Sequence, residues 1–138
     1  MNVYLNFDGN CREAFEFYRA AFGGEFESMQ TFGDGPPDMD VPAEASARIM
    51  HVALPLGPNG SYLMGSDTRQ HGTLTVGNNF SIVYPAQNRA ECDAVFARLS
   101  EGGEVSMPLQ ETFWGAYFGN LKDRYGISWM FNIEMPGA

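Results

Sequence analysis

Two stretches of the chain repeat apolar residues at helical spacing, and runs that alternate apolar with polar side chains flank each of them. Cys11, Ala14, Phe15, Tyr18 and Phe22 fall on one helix face, as do Cys92, Val95, Phe96 and Leu99. Each stretch opens with an Asn followed three residues later by Glu, Asn10 with Glu13 and Asn88 with Glu91. The Asn side chain is therefore expected to accept a free amide of the first turn. Each closes on a glycine pair, Gly23-Gly24 and Gly102-Gly103, suited to the left-handed residue beyond a helix end. Alternation predicts strands over Val3 to Phe7, Arg48 to Leu56 and Ser61 to Ser66, then over Phe80 to Tyr84, Thr112 to Leu121 and Ile127 to Ile133.

The two halves are copies of one unit. Phe17-Tyr-Arg19-Ala-Ala-Phe-Gly23-Gly24-Glu25 and Phe96-Ala-Arg98-Leu-Ser-Glu-Gly102-Gly103-Glu104 share five identities at an offset of 79 residues. Aligning Gly60-Ser-Tyr-Leu63-Met64 with Gly126-Ile-Ser-Trp129-Met130 gives an offset of 66, and an extra loop at Gly33 to Ala47 accounts for the 13-residue difference. The predicted order is βαβββ twice, an α+β architecture in one domain spanning 1–138. Module one covers about 1–67, a linker about 68–77 and module two about 78–138. The extra loop carries Asp34, Asp38 and Asp40 among prolines and is expected at the surface. A solvated acidic loop is favoured over a metal site, because the D-x-D-x-D-G ligand spacing of a calcium loop is absent.

Strand alternation separates a greasy face from a mixed one. Val3, Leu5 and Phe7 oppose Asn2, Tyr4 and Asn6, while Ile127, Trp129, Phe131 and Ile133 oppose Ser128, Met130 and Asn132. The greasy faces should pack under the helices. The mixed faces, with Tyr4, Tyr62, Met64 and Met130, are left to line a central cup enclosed by the paired units. Thr112 to Gly119 is aromatic on both faces, which makes Trp114 a candidate cavity aromatic, with an ordinary core indole as the other reading.

Composition narrows the partners. In 138 residues, 17 acidic against 8 basic side chains leave a net charge of −9 with no basic stripe, which disfavours nucleic acid and anionic membranes. Apolar residues make up 44% of the chain, enough to fill a core, but no apolar run reaches the length of a membrane helix. Two cysteines far apart on apolar helix stripes read as reduced, inert thiols, and no basic start suggests a signal peptide, so a cytoplasmic location is expected.

Common catalytic signatures are missing: no G-x-S-x-G, G-x-x-x-x-G-K-[ST] or H-E-x-x-H motif occurs, nor a strand-following G-x-G-x-x-G for a dinucleotide or methyl donor. Of the two histidines, His71 lies in the polar connection between the modules and reads as a surface residue. His51 lies on a strand beside the cup and could act as acid, base or ligand, or simply be hydrogen-bonded within the fold.

Several segments taken together carry a resemblance. These are Tyr4-Leu-Asn-Phe7, the Glu13-Ala-Phe15-x-Phe17-Tyr18-x-x-x-Phe22-Gly23-Gly24 helix, Met50-His51, Leu63-Met64-Gly-Ser-Asp67, Gly102-Gly103-x-Val105-x-Met107-Pro108, and a tail running from Phe113-Trp114-Gly115 through Phe118-Gly119 and Asp123-x-x-Gly126 to Trp129. In this order, nearly end to end, they resemble the PhnB-like branch of the glyoxalase/bleomycin-resistance/dioxygenase, or vicinal oxygen chelate, superfamily. The resemblance implies curved mixed sheets around a central cup, and a homodimer. It also implies that any metal ligands would come from the first and last strands of each module, at about Asn2, Met64, Phe80 or Ser81, and Met130. None of these is a His, Asp or Glu, so no metal and no cofactor are expected. Some PhnB-like proteins bear a ubiquinone-related methyltransferase label, for which this sequence offers no methyl-donor motif. The expected function is metal-free binding of a small amphiphilic or aromatic molecule by Tyr4, His51, Tyr62, Met64, Trp114 and Met130. The alternative is a divalent-metal-dependent lyase, isomerase or dioxygenase of the same superfamily.

Overall fold

A computed structural model describes residues 1–35, 41, 43–69 and 72–134. His71, Asp38 and Asp40 lie outside the described residues. Chain contacts divide the protein into two units, Met1–Thr75 and Val76–Ala138. Unit 1 holds β1 (Val3–Phe7), α1 (Cys11–Phe22), β2 (Ser28–Thr31), β3 (Ile49–Pro55) and β4 (Tyr62–Asp67). Unit 2 holds β5 (Ile82–Tyr84), α2 (Arg89–Ser100), β6 (Glu104–Glu111), β7 (Ala116–Lys122) and β8 (Ser128–Glu134). Two open four-stranded sheets result, ordered β1-β4-β3-β2 and β5-β8-β7-β6. In each, the first strand runs parallel to the last and the other pairs are antiparallel. The α+β class and the doubled βαβββ order are as the sequence led us to expect.

The registers make the repeat concrete. Val3 pairs with Leu63 and Tyr4 with Met64 in unit 1, and Ile82 pairs with Trp129 and Val83 with Met130 in unit 2. These couples are related by the offsets of 79 and 66 residues found in the sequence. The equivalence follows because strand pairing and helix placement obey the same face rule in both copies: paired residues share a side of the sheet, and the apolar side must be covered.

In unit 1, Leu5, Phe7, Val52, Leu54 and Leu63 of the sheet are buried with Cys11, Ala14, Phe15 and Tyr18 of α1. Gly65 sits under Phe15: a Cβ there would lie 2.7 Å from Phe15 Cε2 and 2.9 Å from the Leu5 carbonyl oxygen. The absent side chain thus lets the helix lie close on the sheet. In unit 2, Ile82, Tyr84, Tyr117, Leu121, Trp129 and Phe131 are buried with Cys92, Val95, Phe96 and Leu99. Trp129 is the core indole, and its Nε1 donates to Asp123 Oδ2 at 2.8 Å. Asp123 Oδ1 meanwhile accepts the Tyr125 and Ile127 amides and shapes the β7–β8 turn. Both cysteines are buried and free.

The two helix starts differ. Asn88 caps α2 as expected, its side chain accepting the Glu91 amide at 2.8 Å. Asn10 makes no side-chain cap hydrogen bond. Buried Asp67 at the end of β4 takes that role, Oδ1 accepting from Gly9 at 2.8 Å and Cys11 at 3.0 Å while Oδ2 accepts from Ile49 at 2.8 Å. A carboxylate that reaches three amides from a neighbouring strand displaces the local amide of Asn10 as the acceptor.

Two strand limits also shift. β5 starts at Ile82, and Phe80 stands more than half exposed before it. β7 starts at Ala116, since Thr112 to Gly115 form a turn in which the Thr112 amide donates to the Ala116 carbonyl and Gly115 takes φ 86°. β6 runs to Glu111 through Pro108, tolerated because β6 is an edge strand and its register slips between Met107 and Gln110. Within the loop expected at the surface Ala45 is buried, as is Phe32 just before it, so the two short 3₁₀ turns Phe32–Asp34 and Ala43–Ala45 are anchored to unit 1.

Candidate functional site

Positions that alternate with the buried ones form the open face of each sheet. In unit 1, β1 contributes Tyr4 and Asn6, β4 contributes Tyr62, Met64 and Ser66, β3 contributes His51, and β2 contributes Ser28 and Gln30, while Ala53 of β3 shares this side but is buried. The register joins them: Tyr4 stands beside Met64, Met64 beside Ala53, and His51 beside Gln30. The structure thus gathers four of the predicted residues, Tyr4, His51, Tyr62 and Met64, on one face. No residue on this stretch of face carries a formal charge, in a chain whose net charge is −9.

Tyr4 and His51 interact directly. The phenol oxygen lies 3.2 Å from His51 Nδ1, and the rings overlap with centroids 5.7 Å apart at 27°. Tyr4 is 46% exposed and His51 half-buried, so the pair is built yet reachable from solvent. Asn2 precedes β1 and is used structurally, its Oδ1 accepting the Tyr62 amide at 2.9 Å.

The open face of unit 2 carries Val83, Met130, Phe118, Asn120, Met107 and Gln110, brought side by side by the β5–β8, β7–β8 and β6–β7 registers. Met130 is there as predicted. Trp114 lies in the turn before β7 rather than on a strand, 56% exposed, with its ring edge-on to Phe118 at 5.9 Å. It therefore extends the open face from its end, and the core-indole reading belongs to Trp129. Sequence reasoning missed Asn120, whose Oδ1 is buried with no hydrogen-bond partner among the described residues. Alternation along the predicted strand, with Leu121 and Gly119 on the covered side, places Asn120 on the open face.

The first and last strands of each unit supply the positions from which the superfamily resemblance would draw metal ligands. The observed pairing sets Tyr4 beside Met64 and Val83 beside Met130, with Asn2 ahead of β1 and Phe80 and Ser81 ahead of β5. One phenol, two thioethers and an isopropyl group do not fit a divalent cation that wants imidazole and carboxylate. Among the described residues no group of three or more His, Cys, Asp or Glu is placed to hold a metal ion. The strand-to-helix turns do not fit a methyl donor either. At α1 the Gly9 and Cys11 amides are taken by Asp67, and at α2 the Glu91 and Gln87 amides are taken by Asn88 and Glu91. Neither turn keeps those amides for a cofactor carboxylate or hydroxyl.

Comparison with known proteins agrees with this fold. The family model described as 3-demethylubiquinone-9 3-methyltransferase matches residues 1–131. Protein YjdN of Escherichia coli is 30% identical over 96% of this chain and 94% of its own. The crystal structure of PA1353 from Pseudomonas aeruginosa is 41% identical, covering 98% of this chain and 97% of that one at a TM-score of 0.80. A PhnB protein from Bacillus cereus is 27% identical, covering 95% and 96% at a TM-score of 0.73. A glyoxalase/bleomycin resistance protein/dioxygenase from Nocardioides shares the fold alone, at 17% identity and a TM-score of 0.58 over 100% of this chain and 84% of that one. The chain belongs to the family described as 3-demethylubiquinone-9 3-methyltransferase, is similar to a PhnB protein, and shares the fold of a glyoxalase/bleomycin resistance protein/dioxygenase.

Proposed function

We propose that this protein binds a small amphiphilic or aromatic molecule on its open sheet faces without a metal ion, and that the methyl transfer in the family's description is not its activity. The carrying observation is the open face of unit 1. There Tyr4, His51, Tyr62 and Met64 share one uncharged surface that combines aromatic and thioether area with a few neutral polar atoms. Such a mixture suits a ligand with an apolar body and a polar edge. Trp114, Phe118 and Met130 give unit 2 a surface of the same kind.

The remaining expectations belong to the same proposal: a cytoplasmic homodimer with no nucleic-acid or membrane partner. Two buried free thiols support a reducing compartment, and the acidic balance disfavours nucleic acid and anionic membranes as partners. No helix among the described residues is long and apolar enough to cross a membrane. A thermal-shift screen of aromatic and amphiphilic compounds on metal-free protein tests the reading. Hits should lose affinity at least about fivefold in Met64→Ala or Trp114→Ala, a loss of about 1 kcal/mol. Hits that appear only after a divalent cation is added would replace this reading by metal-dependent catalysis.

A further inference from the structure

We propose that Tyr4 and His51 act as one hydrogen-bonding unit that selects aromatic ligands carrying both a donor and an acceptor, as in a primary amide, a carboxylic acid or a hydroxy-carbonyl group. This rests on the reading of the open face of unit 1 as a ligand site. The phenol oxygen and Nδ1 are 3.2 Å apart, and ring overlap holds them as a unit reaching from β1 across β4 to β3.

One proton is shared across that contact. When the phenol donates it, the imidazole proton sits on Nε2, and the pair presents an Nε2–H donor and a phenol lone pair. When Nδ1–H donates, the pair presents the phenol O–H as donor and Nε2 as acceptor. Either way one donor and one acceptor remain for a ligand, and the arrangement adapts to the order in which the ligand carries its own. Among the described residues, neither side chain makes a second hydrogen bond. The neighbouring groups on this face, Asn6, Ser66, Met64, Tyr62 and Gln30, are uncharged, so hydrogen-bond matching decides the choice of ligand more than ion pairing. Met64 and Tyr62 give the apolar body its surface. A ligand lacking either group would leave half of the pair unmatched and is discriminated against.

The test compares three probes built on one ring system, 2-naphthamide, methyl 2-naphthoate and 2-methylnaphthalene, by isothermal titration calorimetry of the full chain. The wild type should hold the amide about tenfold or more tighter than the hydrocarbon, with the ester between them. Tyr4→Phe and His51→Phe, each checked for an unchanged melting curve, should cut that preference to about threefold or less while the hydrocarbon's affinity changes by less than about twofold. Equal binding of all three by the wild type, or a preference that survives both substitutions, overturns the inference and leaves the ligand-site reading standing. If none of the three binds, the reading falls and the inference with it.

Discussion

Asp67→Ala should be among the most damaging single substitutions in unit 1, although it removes few carbon atoms. Its two carboxylate oxygens accept three backbone amides, from Gly9, Cys11 and Ile49, at 2.8 to 3.0 Å, and the residue is 4% exposed. Gly9 lies at the surface, where water can replace the acceptor. Cys11 and Ile49 are at most 1% exposed and cannot rehydrate without opening the junction of β1, α1 and β3. Each stranded buried donor costs about 1–3 kcal/mol, and releasing a desolvated carboxylate returns part of that, so about 2–4 kcal/mol is expected. Out of a total stability of about 5–15 kcal/mol the loss is large. Urea unfolding followed by far-ultraviolet circular dichroism measures it, because both tryptophans lie in unit 2 and fluorescence would miss unit 1. Asp67→Asn keeps an acceptor oxygen and should fall between. Asp34→Ala, which removes an exposed carboxylate that bonds the amide and side chain of Thr31, should barely move the midpoint. A loss below about 1 kcal/mol for Asp67→Ala, or one no larger than that of Asp34→Ala, would refute the assignment of Asp67 as the cap of α1.

Gly65→Ala should destabilise unit 1 by about 1–3 kcal/mol, because its Cβ meets the Phe15 ring and the Leu5 carbonyl; a wild-type urea midpoint would show that the helix is free to move away. Cys11 and Cys92 should resist a thiol reagent until the protein unfolds, since burial pushes both thiols up, Cys92 to about 11 and Cys11 further. The same burial, with Glu91 beside it, pushes the Tyr84 phenol up. These acids ionise more readily in the unfolded chain, so their contribution is intact below about pH 9 and stability falls as pH rises beyond it; a urea midpoint flat to pH 11 would contradict their burial. Acrylamide should quench wild-type fluorescence in two components, and Trp114→Phe should leave only the shielded Trp129; an accessible component that persists would misplace one of the two indoles.

The two βαβββ copies and their faces were legible because period-two and period-3.6 patterns report burial directly, as Leu5 and Phe7 or Cys11 and Phe15 show. Even the register was encoded, in the paired offsets that relate Tyr4 and Met64 to Val83 and Met130. Long-range polar contacts were not legible. Nothing near Asn10 reveals that Asp67, 56 residues beyond Cys11, takes the cap. Nothing near Tyr4 reveals that its hydroxyl meets His51 rather than solvent. Trp114 was assigned to a strand because aromatic residues on both sides hide the turn that Thr112 and Gly115 close.

The most direct test is a methyl-¹³C methionine spectrum titrated with 2-naphthamide in the presence of EDTA. Met64 lies beside Tyr4 at the middle of the open face of unit 1. Its methyl resonance, assigned by Met64→Leu, should shift saturably with the added ligand and keep that shift in the chelator. A Met64 signal that stays still until zinc, nickel or manganese is supplied would contradict metal-free binding on this face.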